Sequence, residues 1–372
     1  MKKIIVILSL VLLAASCNKT VTQQKELNNQ PASQPSPVNF AYVDNETGHV
    51  IYNGKDLGAG ASPVLDGNDI AFTDPNSHLI YNSKDLGEGI FSSKEGGGIF
   101  YPPILNSGHV AFYRMVKGVF HVIYDGKDLG GTVGSPVLEG SNLALITAKG
   151  NHIIYNGKDL GLGFSPILSN GHIAYVTEPN TPSHVIYDGK DFGSGYAPIF
   201  AGSSFGYISQ SSGADHMIFN GKDLGEGGYP CDMNEKHIAC VRSEKDGNHI
   251  IYDGKDLGIG NNPKLDGDNI AYDNLNLGLD NYSIMYNGRI IGQGARLVLD
   301  KGNYAYEKAV NGQDYSNTTL VYNGKDLGPV APTSIQLLDN NLAYSVVDGG
   351  QVKTVFNEKT IDGGSFVMTR KQ

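Results

Sequence analysis

The sequence predicts an all-β chain built from about ten copies of one four-stranded unit, and three observations predict it. The stretch HVIYNGKDLG at 49–58 returns as HIIYNGKDLG at 152–161 and HIIYDGKDLG at 249–258. Its aromatic residue can be aligned ten times, at Tyr52, Tyr81, Tyr124, Tyr155, Tyr187, Phe219, Tyr252, Tyr286, Tyr322 and Phe356, a mean period of about 34 residues. Each copy is β-branched and aromatic and ends in a short turn, usually Asn-Gly or Asp-Gly, the dipeptides that accept φ > 0 at both centres of a type I′ turn.

The turn makes HVIY and KDLG the two arms of a hairpin. Upstream of it lies a second pair of apolar runs, as in SPVLDGNDIAF at 62–72, SPILSNGHIAY at 165–175 and NPKLDGDNIAY at 262–272. Each unit therefore reads as strand A (PVL), B (IAY), C (HVIY) and D (KDLG). Glycine, 49 of 372 residues, falls mainly at the strand ends. Apolar runs without strict alternation require sheets covered on both faces, and repeated four-stranded sheets that cover one another form a β-propeller, one unit per blade. The proline near the start of strand A, for example Pro63, Pro136, Pro166, Pro198 and Pro263, suits an inner edge strand that lacks an amide donor there. A β-solenoid is the competing architecture.

Ser62-Pro63, the Ile70-Ala71-Phe72 strand and the Ile51-Tyr52 strand resemble the blades of TolB-like propellers, a WD-type repeat family, over residues 39–370. Two apolar residues separate Ser-Pro from Asp66-Gly67, a departure from that family's pattern. The resemblance implies a propeller and, more weakly, a place in an envelope complex.

The ends give the blade count. FAYVDNETGHVIYNGKDLG at 40–58 supplies strands B, C and D with no A, and SFVMT at 365–369 is an A with nothing after it. Joined, they close a ring of ten blades; two five-bladed propellers are the alternative arrangement.

Residues 1–16 read as a lipoprotein signal peptide: Lys2 and Lys3, an apolar run from Ile4 to Leu13, then Ala14, Ala15 and Ser16 before Cys17. The run is too short for a finished transmembrane helix. The small residues ending in cysteine resemble a bacterial lipobox, which implies lipidation (palmitate among the acyl chains) at Cys17. Asn18 stands where an Asp would favour inner-membrane retention, so the expected location is the cell envelope, at the outer membrane. Residues 17–38 are polar and proline-bearing and read as a disordered tether. Loss of Lys2 and Lys3 takes the net charge from −10 to −12, which argues against nucleic acid as a partner.

All ten histidines occupy two repeat positions, seven before strand C and three at the start of strand B. Equivalent positions on neighbouring blades should lie about 10 Å apart, too far for shared ligation, so no metal or other cofactor is expected. The repeated Lys-Asp pair of strand D is expected to blunt the outer edge strand. Cys231 and Cys240 lie on strands A and B of one blade and could face each other as a disulfide or remain two buried thiols. No nucleophile elbow, phosphate loop or zinc-protease motif occurs, so no catalytic residue is assigned.

The expected function is a non-catalytic, membrane-tethered monomer presenting a recognition surface to a protein or glycan. The alternatives are a TolB-like periplasmic component and a glycan-active hydrolase or lyase. The A-B and C-D turns are short and uniform, whereas the B-C loops and D-to-A crossings vary, for example DNLNLGLDNYS at 273–283 and EKAVNGQDYSNT at 307–318. Functional loops on a fixed scaffold are free to differ, which makes Tyr101, Arg114, Tyr282 and Tyr315 on that face the candidate partner contacts.

Overall fold

A computed structural model describes residues 35–89, 102–178, 183–211, 213–275, 282–309, 318–331 and 335–371. The expected signal at 1–16, Cys17 and all but the last four residues of the expected tether lie outside these residues. Among the described residues there is no helix, and so none long and apolar enough to cross a membrane.

The strands pair as antiparallel four-stranded sheets in the order A-B-C-D. Blade 1 takes its A strand from the C-terminus, Gly363–Arg370, which pairs with the first strand, Val38–Asp44, from Val38 opposite Arg370 to Tyr42 opposite Phe366. In two places D of one blade runs unbroken into A of the next, as Lys127–Glu139 and Lys190–Ala201, so that two blades share one seven-stranded sheet. Ten blades result. The A strands touch in succession around the ring, and that of blade 10, Ile335–Leu338, meets Gly363–Arg370. This closes a single ten-bladed β-propeller and excludes both the solenoid and the pair of five-bladed rings. With ten blades and ten interfaces, each interface holds its own apolar cluster.

The interfaces follow from alternation on strand B. In Ile70-Ala71-Phe72, Ile70 and Phe72 pack toward blade 1 and Ala71 toward blade 3, as the two-residue period of a strand requires. A small residue holds that central position in every blade: nine alanines with no exposed surface, among them Ala41, Ala174 and Ala343, and Gly206 in blade 6. The aromatic that follows lies over the preceding blade, where the Tyr175, Tyr272 and Tyr306 hydroxyls donate to the Leu160, Leu257 and Ile291 carbonyls of strand D. The crossing glycine beneath it makes room: a Cβ on Gly260 would come within 2.5 Å of the Tyr272 ring and 2.7 Å of Ile250.

The repeated turn residue has a second duty besides its backbone conformation. In all ten blades the first residue of the C-D turn sits at φ 46–49°. Its side-chain Oδ1 accepts the N–H of the first core residue of strand B at 2.9–3.0 Å. Where that residue is Asn, its amide donates to an oxygen at the start of B, as Asn156 does to Asn142 at 2.8 Å. Where it is Asp, the partner is a histidine: His109–Asp125, His172–Asp188 and His237–Asp253, at 2.5–2.6 Å. The other seven histidines pair Nδ1 with the strand-D aspartate seven residues on, at 2.8–3.0 Å. That aspartate also accepts the N–H of the glycine two residues later, 2.7 Å for Asp56 and Gly58. In blade 9 Thr319 replaces the histidine, bonding Asp326 at 3.2 Å. Strand D is the outer edge, and both its lysine and its aspartate are exposed, the aspartate bonded back to strand C.

The two duties of the turn residue can be separated. Asn156→Gly keeps the left-handed backbone and loses the clasp on Leu143, with an expected cost of about 1 kcal/mol. Asn156→Ala should cost roughly 1–2 kcal/mol more, from the Cβ at positive φ. Denaturant melts of both variants check this; equal losses would mean that conformation alone selects the residue.

Candidate functional site at the channel mouth

The uniform turns all lie on one face of the disc. The other face carries the B-C loops, the D-to-A crossings and the first residues of the A strands, where they enter the central channel. Departures from the repeat on this second face mark residues that the scaffold does not require.

The clearest departure is on strand B, two residues after the invariant small residue. This position points toward the next blade, and in six blades it is aliphatic or aromatic without charge: Val43, Tyr113, Ile146, Val176, Ile208 and Val241. Blades 2 and 10 have Thr73 and Ser345. Blades 8 and 9 have carboxylates, Asp273 and Glu307, both buried. Strand A bulges opposite this position, with register breaks between Asn261 and Lys264 in blade 8 and between Ala295 and Val298 in blade 9. A bulge places a residue in the left-handed region and re-aims it: Ser62 and Ser165 in ordinary blades, Asn262 at φ 51° and Arg296 at φ 56° here.

These residues pair across the bulge. Asn262 Nδ2 donates to Asp273 Oδ2 at 2.9 Å. Arg296 Nη1 meets Glu307 Oε2 at 2.6 Å, and Thr318 Oγ1 lies 3.4 Å from the same oxygen. A bulky side chain at positive φ is strained, and the ion pair to a fully buried carboxylate holds Arg296 there. Burial pushes the Asp273 carboxyl above the usual carboxylate range, opposed by the Asn262 hydrogen bond and the charge of Lys264.

Asn262, Asp273 and Arg296 line a hollow of about 590 Å³ formed by the A strands of blades 7, 8 and 9, within the range of small-ligand sites. Tyr229, Pro230, Cys231, Pro263, Lys264, Tyr282, Ala295 and Leu297 complete it. Tyr229 is 67% and Tyr282 37% exposed. The Cys231–Cys240 disulfide joins residues directly opposite on strands A and B, next to Tyr229 in the chain. On the other side of Tyr229 a second hollow of about 410 Å³ is lined by Tyr196, Asp215 and Arg242. There the Tyr196 hydroxyl donates to Asp215 at 2.7 Å, and its pKa is pushed up to about 12, by burial first and then by that carboxylate. Arg242 is held by Glu244 and Asp256 at 2.5 and 2.6 Å. The hollow of about 770 Å³ between blades 3 and 4, with Tyr124, Lys127 and Leu129, is built from positions that the repeat supplies throughout the ring.

Of the four candidate contacts, Tyr282 lies in the hollow at the start of strand C. Arg114 has other work: its Nε donates to the Glu88 carbonyl at 2.9 Å and its Nη2 to that of Leu86 at 3.3 Å, joining blade 3 to the outer strand of blade 2. Tyr101 and Tyr315 lie outside the described residues. Sequence reasoning missed Asp273, Glu307, Asn262 and Arg296. The signal was available in an alignment of the repeats, where carboxylates replace valine or isoleucine at one register position.

No protein-family model matches the chain, and no curated protein does. Among solved structures the chain is similar to AztD of Citrobacter koseri, at 11% identity over 90% of this chain and 100% of that one, TM-score 0.37. It is also similar to the β-propeller domain of the trilobed protease of Pyrococcus furiosus, at 9% identity over 88% and 96%, TM-score 0.34. The computationally designed Ika8 protein matches at 12% identity over 79% and 95%, TM-score 0.38. The assignment of a ten-bladed propeller rests on the strand pairing of this chain.

A carboxylate whose pKa burial raises lowers the stability of the fold as pH climbs from the ordinary carboxylate value, about 4, through its own raised value. Asp273→Asn keeps an acceptor for Asn262 and removes that ionisation. The variant should therefore melt a few degrees above the parent at pH 7–8, with the difference shrinking toward about pH 4. Thermal melts across that range check it; a deficit independent of pH would contradict the burial account.

Proposed function

We propose that this chain is a non-catalytic recognition propeller, held at the cell envelope by a lipid on Cys17, that presents the channel mouth of blades 7 to 9 to a protein or glycan partner. The observation that carries the reading is the break in the repeat: buried carboxylates, a strained arginine and two exposed tyrosines gather at one sector of the variable face. Buried charge is costly in a scaffold that elsewhere fills the same position with uncharged side chains, and such cost is characteristic of binding sites. Tyrosine supplies large contact area at an exposed rim with little entropy to lose.

A glycan-active enzyme would draw on the same acids. Glycoside hydrolysis needs two carboxyl groups working on one bond, and Glu307 is bound by Arg296 at 2.6 Å with its side chain fully buried. That arrangement favours binding over turnover.

The test is photo-crosslinking in intact cells from position 229, with position 158 beside a uniform turn as the control. Adducts are expected from 229 and not from 158, in the membrane fraction for the parent and in the soluble fraction for Cys17→Ser. Adducts from 158 alone would move the recognition surface to the opposite face, and a Cys17→Ser protein that stays with washed membranes would remove the lipid tether.

A further inference from the structure

Four features of the hollow in blades 7 to 9 select among ligand chemistries. The first is charge. Asp273 offsets Lys264 within the lining, and Glu307, fully buried outside it, pairs with Arg296 at 2.6 Å, so these four charges sum to zero. A site for an anionic or cationic ligand concentrates one sign of charge; this one cancels it locally.

The second feature is the density of planar hydrogen-bonding groups. Asp273 Oδ2 accepts from Asn262, and the carboxylate keeps further acceptor sites beside the amide oxygen of Asn262. A purely apolar ligand would dehydrate these groups without replacing their partners, at a cost of about 1–3 kcal/mol each. Vicinal hydroxyls replace water well, since each donates and accepts and a pair of them spans a carboxylate or an amide.

The third feature is the pair of tyrosines at the rim, Tyr229 and Tyr282, whose exposed rings offer apolar faces with a polar tip. Such faces suit the C–H surface of a pyranose ring. The fourth is a barrier to peptides. An extended peptide commonly binds by adding a strand to an exposed edge, and the A strands are the inner edges here. Pro230 and Pro263 line the hollow and remove the amide donors that such a strand would need.

We propose that this hollow is a saccharide site, binding a neutral oligosaccharide with one sugar ring against Tyr282 and its hydroxyls on Asp273 and Asn262. The proposal rests on the recognition reading above and narrows it to one ligand class. Lys264 and Arg296 then act as partners that keep the two acids from attracting cations, and the volume of about 590 Å³ limits the site to a short segment of a glycan.

Calorimetric titration of the purified mature chain with chitotriose, cellotriose and maltotriose as neutral probes, tri-galacturonate as the acidic probe and spermidine as the cationic probe tests this. At least one neutral trisaccharide should bind. Its affinity should fall roughly tenfold or more in Tyr282→Ala and in Asp273→Asn, survive in Tyr282→Phe, and be unchanged in Lys158→Ala. Circular dichroism confirms the fold of each variant. Binding of tri-galacturonate or spermidine alone, no binding of any neutral probe, or neutral binding indifferent to Tyr282 would each overturn the proposal. A protein crosslinked from position 229 in cells, with no saccharide bound in vitro, would sink this inference and leave the recognition reading standing; crosslinks confined to position 158 would sink both.

Discussion

Every blade depends on one small side chain. The alanine or glycine at the centre of strand B faces the next blade with no exposed surface, and its own sheet supplies larger apolar residues on the opposite side. Large against small is how packed sheets interdigitate at interior density. Repeated ten times, it gives each interface the same shape and lets the ring close on itself. Replacing that position with a larger residue in one blade would overpack one of ten equivalent contacts. The aromatic over the preceding blade and the crossing glycine beneath it exist because the small residue leaves that space.

A scaffold specified so locally tolerates change where it is not specified. Turn clasps and His–Asp pairs hold the strands of each blade together, and the B-strand alanines fit one blade against the next. The first residues of strand A and the B-C loops are left to vary. Blades 7 to 9 use that freedom, with a disulfide in blade 7 and buried acids in blades 8 and 9. The fold supplies placement; the chemistry lies in the departures.

Much of the scaffold was legible in the sequence because its signals are short-range. Asn-Gly and Asp-Gly announced the C-D hairpins, and the orphan strands at the two ends announced the joint blade. The partner of each histidine was not read, although the seven-residue offset from His49 to Asp56 recurs in seven blades, because histidine and Lys-Asp were weighed as separate positions. The swap of Asn with Asn for His with Asp at the turn was equally present and equally unread. The site was harder still. Asp273 and Glu307 lie 34 residues apart and match no motif; what joins them is a shared register in adjacent blades, visible only once strand B is aligned on its alanine. Tyr282, which the structure places in the hollow, was a candidate from loop variability, and the same argument led to Arg114, which the structure ties to the Glu88 and Leu86 carbonyls.

On the proposed function, repeated positions build the ring and divergent positions bind. The direct measurement is a regularised chain, Asn262→Ser, Asp273→Val, Arg296→Ser and Glu307→Val, which gives blades 8 and 9 the residues of an ordinary blade. These are the residues that blade 5 carries at the two positions, Ser165 and Val176, and the thermal unfolding and the partner capture from position 229 of this chain are compared with the parent's. The expected result is a chain that folds and melts at least as high as the parent while capture is lost. Capture at the parent's level from a folded, regularised ring would contradict it.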